Sequence, residues 1–140
     1  MYQFSRAIYR ELATDVTDTR AGDDVANRAR LLRACEDAVE RLAADRRYFA
    51  RPGRTLFKDV RSLFPMDKQL RVYQVVTQHM ALAGAYVDQA ARAGITLDGV
   101  PLSCHATTRR GTPCQRIPLP GSQYCPSHKH LEESLEFVAA

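Results

Sequence analysis

Cys104, Cys114, Cys125 and His128 fall within 25 residues of one another and are followed at once by Lys129 and His130. Three thiols and an imidazole make up the ligand set of a closed, tetrahedral zinc site. The spacing is C-x9-C-x10-C-x2-H, so Cys125 and His128 can reach one ion from a single tight turn, whereas Cys104 and Cys114 must arrive from two longer loops. Gly111, Thr112 and Pro113 just before Cys114, and Gly121 and Ser122 just before Tyr124 and Cys125, are the turn residues such loops require. Between residues 103 and 130 the sizeable apolar groups are Ile117, Leu119 and Tyr124. So little oil cannot offset the chain entropy of ordering the segment, whereas metal coordination contributes on the order of 10 kcal/mol, which makes a structural role the expectation for the ion.

Other uses of these residues stay open at the level of sequence. Two disulfides that include Cys35 are arithmetically possible, as is iron–sulfur ligation, and His130 can replace His128 through a C-x4-H spacing. Cys35 sits on an apolar stripe and reads most simply as a small core residue. His105 and His79 read as a loop residue and a partly buried helix residue.

The stretch CHATTRRGTPCQRIPLPGSQYCPSH resembles a small Cys3His zinc module that recurs in otherwise dissimilar bacterial, phage and eukaryotic proteins, some of them described as potentially DNA-binding. The resemblance rests on GTPC, on GSxYC and on the terminal C-x2-H, and covers about a fifth of the chain. It implies Cys104, Cys114, Cys125 and His128 as ligands of Zn2+ and carries little expectation about activity. The remainder of the chain resembles no family.

What positions this segment is a helical region. Phe4, Ile8 and Leu12 predict a first helix over 2–13, and TDVTDTRAGDD predicts a loop that offers Asp23 or Asp24 as the next N-cap. Val25, Leu32, Cys35, Val39, Leu42 and Phe49 keep a helical rhythm up to a stop at Pro52 and Gly53. TLFKDVRSLF gives a shorter amphipathic helix ended by Pro65. A third long helix is predicted from about Asp67 to Ala93, closing at Gly94, with Val72, Tyr73, Val76, Met80, Ala83, Val87 and Ala90 inward. The expected fold class is therefore mainly α: a bundle of three or four helices over 1–94, a linker or docking strand at 95–102, an irregular zinc-stapled module at 103–130, and a short helical tail at 131–140. In the tail, Leu131, Leu135 and Phe137 or Val138 share a side.

Charge narrows the function classes. The net charge is +4 over 140 residues, but residues 41 to 61 hold seven basic side chains against two acids, and residues 103 to 130 hold Arg109, Arg110, Arg116 and Lys129 with no acid. This asymmetry permits a polyanion partner; Arg46, Arg47, Arg51, Arg54, Arg109, Arg110, Arg116 and Lys129 are the candidate contacts for DNA or RNA. Enzymatic signatures are missing: no Gly-rich phosphate loop, no G-x-S-x-G elbow, and no His-x-Glu with C-x-x-C as in zinc deaminases. The N-terminal residues lack the apolar run of a signal peptide, and no stretch approaches a membrane span, so a cytoplasmic location is expected. The function expected is a non-catalytic zinc-binding regulatory factor with no membrane and no small-molecule substrate. It acts on transcription or translation machinery such as RNA polymerase, the ribosome or another nucleoprotein complex, through mixed protein and nucleic-acid contacts. The alternative is a protein-only adaptor, or a zinc- or redox-responsive switch.

Overall fold

The structure is a computed structural model, and it describes residues 1–17 and 23–132. Four α-helices lie wholly within the described residues, α1 (Tyr2–Leu12), α2 (Asp23–Ala44), α3 (Pro52–Val60) and α4 (Gln69–Ala93), and residues 130–132 are also helical. Short 3-10 turns, Ala13–Asp15, Arg61–Leu63 and Met66–Lys68, finish or start these helices, and a fourth, Pro126–His128, lies in the C-terminal region. No strand occurs among the described residues, only isolated bridges. No described helix is long and apolar enough to cross a membrane. The chain divides into two compact units, Met1–Asp88 and Gln89–Ala140.

One apolar cluster fills the first unit. Ile8 and Leu12 from α1, Leu31, Cys35, Val39 and Leu42 from α2, Leu56 and Val60 from α3, and Val72, Val76, Met80 and Ala83 from α4 are buried in it. Their spacings of three and four within each helix give every helix one wet and one dry face. Polar ties at its edge join α1 and the 3-10 turn after it to α4: Glu11 and His79 meet at 2.7 Å, and Asp15 pairs with Arg71 at 2.7 Å.

Several expectations are corrected in detail. The second helix stops at Ala44 rather than running to Phe49. The Asp45 carboxylate accepts the Arg47 N–H at 2.9 Å and its carbonyl accepts the Tyr48 N–H at 3.1 Å, a local turn that competes with the helical ladder. Pro52 does not stop the preceding helix but starts the next one, where its missing N–H costs nothing and its fixed φ is already helical. Asp23 and Asp24 lie inside the first turn of α2, where their charge suits the helix dipole, rather than ahead of it. The inward stripe of α2 passes through Leu31 instead of Leu32, and Val25 is 70% exposed. On α4, Val75 is buried and Tyr73 faces outward, its ring edge-on to Phe57 at 5.2 Å. The predicted tail lies outside the described residues beyond Glu132.

The last turn of α4 belongs to the second unit. Gly94 closes it in the left-handed region at φ 64°, with its N–H on Ala91 O at 3.2 Å and the Ile95 N–H on Ala90 O at 3.1 Å, a Schellman cap. Residues 95–102 then form a tight loop rather than an extended linker. Ile95 bridges Pro101, the Thr96 N–H reaches Val100 O at 2.7 Å, and the Leu102 N–H returns to Gly94 O at 2.8 Å.

Candidate metal centre

Two turns in the second unit bring the four donor side chains together. In the first, Cys104 and Cys114 stand across a hairpin: the Cys104 N–H donates to Arg116 O at 2.9 Å and the Cys114 N–H to Ala106 O at 2.8 Å. Its tip is closed by Gly111 N–H on Thr108 O at 2.9 Å, with Gly111 at φ 77°, a conformation that glycine adopts without cost. In the second, Leu119 N–H on Tyr124 O at 3.0 Å folds the chain back around Gly121 to deliver Cys125. The 3-10 turn Pro126–His128 then presents the imidazole, with the His128 N–H on Cys125 O at 2.9 Å. The backbone N–H of His105 joins the two halves on Gln123 O at 3.0 Å, and its side chain is not among the clustered donors.

The result is a set of three sulfurs and the His128 Nδ1, all within 4.8 Å of one another. Cys125 Sγ lies 3.3 Å and Cys104 Sγ 3.6 Å from that nitrogen. An ion with arms of about 2.3 Å to sulfur and about 2.0 Å to nitrogen at tetrahedral angles needs sulfur–nitrogen edges of about 3.5 Å, so the donor set fits an ion of zinc's size and geometry. His128 Nδ1 belongs to this set; His130 is exposed, its ring centroid 6.4 Å from that of His128.

The electrostatics also call for a cation. Burial alone raises the Cys104 thiol, yet the backbone N–H groups of Cys125, 3.3 Å from its sulfur, and of Ala106, with the His128 ring, bring it down to about 6. Cys114 moves the other way: the Arg116 N–H lowers it, but burial and the Cys104 and Cys125 sulfurs outweigh that bond. Three neighbouring thiols cannot all ionise beside one another without positive charge at their centre. A bound divalent cation removes that conflict by holding all three as thiolates.

The cluster is also the interior of its unit. Beyond α4, the buried apolar residues among those described are Cys104, Ala106, Cys114 and Cys125, with Tyr124 and Leu131 partly buried against them. Ile117 and Leu119 are not among them, and Ile117 is 56% exposed. Ile117 instead lies over Gly94: a Cβ at that position would sit 2.4 Å from Ile117 Cγ2. Cys35 is buried in the other unit and takes no part in the cluster. No two cysteines are disulfide-bonded; all four are free.

The basic candidates separate into held and unheld side chains. Arg46 is bound in a bidentate pair to Asp88, at 3.0 and 3.1 Å, and lies over Gly84. Arg116 donates to Ser127 Oγ at 2.8 Å, bracing the ligand turn. Arg47, Arg51, Arg54, Arg109, Arg110 and Lys129 are exposed and have no ion-pair partner among the described residues. Arg109 and Arg110 occupy the tip of the first hairpin.

Sequence reasoning missed a groove of about 440 Å3 in the first unit, whose lining includes Arg46, Arg51, Gly53, Arg54, Tyr73 and Thr77. Beside it α3 and α4 approach so closely that a Cβ on Gly53 would sit 2.8 Å from the Thr77 Cα. A glycine in the first turn of a helix was the available signal. No family model matches the chain, and neither a curated protein nor a solved structure does.

Proposed function

We propose that this chain is a non-catalytic zinc-binding factor that acts by binding, and that it contacts nucleic acid within a larger nucleoprotein complex such as RNA polymerase or the ribosome. The observation that carries the reading is the convergence of four donors, three thiols and an imidazole, on one point. A catalytic zinc keeps a position open for water, whereas this set fills all four, and its sulfur-rich composition favours zinc over hard cations. Zinc held here supplies folding energy to a segment whose apolar interior is little more than its own ligands.

The same hairpin that carries Cys104 and Cys114 at its base holds Arg109 and Arg110 at its exposed tip. Two exposed guanidinium groups without an ion-pair partner among the described residues suit phosphate contact. The helical unit, proposed here as a bundle, contributes Arg47, Arg51 and Arg54. A protein-only adaptor is the second reading, supported by apolar side chains left on the surface near and within α4: Met66 is 82% exposed, Leu70 69% and Leu82 51%.

The test is binding of the metal-loaded chain to mixed-sequence DNA and RNA across a salt series. Phosphate contact predicts a log–log slope of about −0.7 to −0.9 for each phosphate neutralised, and Arg109→Glu with Arg110→Glu lowers both affinity and slope. Binding that ignores salt and these substitutions, or none at all, returns the function to the adaptor.

A further inference from the structure

The groove lined by the segment that joins α2 to α3, the first turn of α3 and one side of α4 has the size and lining of a ligand site. At about 440 Å3 it falls within the roughly 300–1,000 Å3 of small-molecule pockets. Its walls combine apolar groups, Pro52, Met80 and Ala81, with three arginines and the Thr77 side chain. Of the arginines, Arg46 is fixed by Asp88, but Arg51 and Arg54 have no ion-pair partner among the described residues. Both line the groove, so an anion held in it meets positive charge that no carboxylate among the described residues neutralises. Tyr73 is 40% exposed and is held at 83° to Phe57, so its ring is fixed in place beside the cavity.

We propose that this groove binds a nucleoside 5′-monophosphate, with Arg51 and Arg54 on the phosphate, Thr77 as a hydroxyl partner and the base against Tyr73 and the apolar wall. The guanidinium fork matches a phosphate's oxygens bidentately, and a flat heterocycle is the body that a fixed aromatic ring and a shallow apolar wall accept without sequence preference. The inference rests on the nucleic-acid reading above and gives it a pocket. The shared chemistry has two sources: a free mononucleotide, or the terminal nucleotide of a strand with a 5′-phosphate.

Titration calorimetry on the full metal-loaded chain tests it, with adenosine 5′-monophosphate, adenosine, and one single-stranded oligonucleotide carrying either a 5′-phosphate or a 5′-hydroxyl. Adenosine 5′-monophosphate binds one to one, and adenosine is weaker by about tenfold or more, the worth of a charge-assisted phosphate contact. Arg51→Ala with Arg54→Ala weakens the monophosphate by about the same factor, while Arg33→Ala on α2 does not. Both altered arginines are exposed, and unchanged helicity of the double variant shows that lost binding is not lost folding. A 5′-phosphate that strengthens the oligonucleotide about tenfold supports the strand end as the source; an indifferent strand beside a bound mononucleotide supports the free nucleotide. Absence of monophosphate binding, or binding that survives Arg51→Ala with Arg54→Ala, overturns the proposal. Strand binding that depends on Arg109 and Arg110 but not on Arg51 and Arg54 leaves the nucleic-acid reading standing while this site falls. A monophosphate site without any strand binding does the reverse.

Discussion

Gly94→Ala is the substitution whose effect the structure fixes most closely. Gly94 sits at φ 64° as the cap of α4, and an alanine there pays about 1–2 kcal/mol for a left-handed conformation. The new methyl also lands 2.4 Å from Ile117 Cγ2, a distance no pair of carbons tolerates. Ile117 is 56% exposed, so it can swing away, and the overpacking penalty should sit at the low end, about 1 kcal/mol. The sum is about 2–3 kcal/mol against the folded second unit. With order in that unit coupled to a bound metal, as proposed above, the loss appears as weaker apparent metal affinity, about 30- to 160-fold, in competition with a chelating zinc indicator. On an Ile117→Ala background the clash is gone and only the backbone cost remains, about 1–2 kcal/mol. Affinity within about twofold of the parent refutes the reasoning on the cap, and an equal cost on both backgrounds refutes the contact with Ile117.

Further outcomes follow from the same geometry. Cys114→Ser removes one of the four donors; the second unit becomes susceptible to limited proteolysis between residues 103 and 130 while far-ultraviolet circular dichroism keeps most of its helical signal. Loss of the whole helical signal would falsify the independence of the first core. Arg46→Ala breaks a pair in which both partners are about two-fifths exposed, so it lowers thermal stability by less than about 1 kcal/mol despite the bidentate geometry. Burial, assisted by the neighbouring Glu36 charge, pushes the Cys35 thiol from its ordinary value near 9 up to about 12. With the folded value above the unfolded one, its contribution is intact below pH 9 and is lost as pH rises toward 12, at a slope approaching 1.4 kcal/mol per pH unit, about one proton's worth. Urea unfolding of parent and Cys35→Ala across that range should show the extra slope in the parent alone; parallel curves contradict it.

Much of this was legible in the sequence, for identifiable reasons. α1, α3 and α4 follow from apolar residues three and four apart, because those helices bury one face each. The end of α2 was not legible, because Phe49 falls by coincidence on the same rhythm while the Asp45 side chain quietly closes a turn. Leu31 and Leu32, adjacent and chemically alike, differ only by 100° around the helix, and only the packing decides which turns inward. At the metal centre the cysteines announce themselves, since a segment so poor in apolar residues needs another source of order. The choice of His128 over His130 required coordinates, as did the finding that Arg116 braces the ligand turn through Ser127. The groove was invisible because its lining comes from segments far apart in the chain, 46–54 and 73–81, which only the folded packing brings together.

The central claim is that one ion organises the second unit. Elemental analysis of the purified chain, combined with thiol titration before and after a strong chelator, tests it most directly. The account predicts one zinc per chain, no rapidly reacting thiol while it is bound, and three reactive thiols once it is removed, Cys35 remaining buried until denaturant is added. A chain free of metal, or one whose Cys104, Cys114 and Cys125 react fully without the chelator, contradicts it.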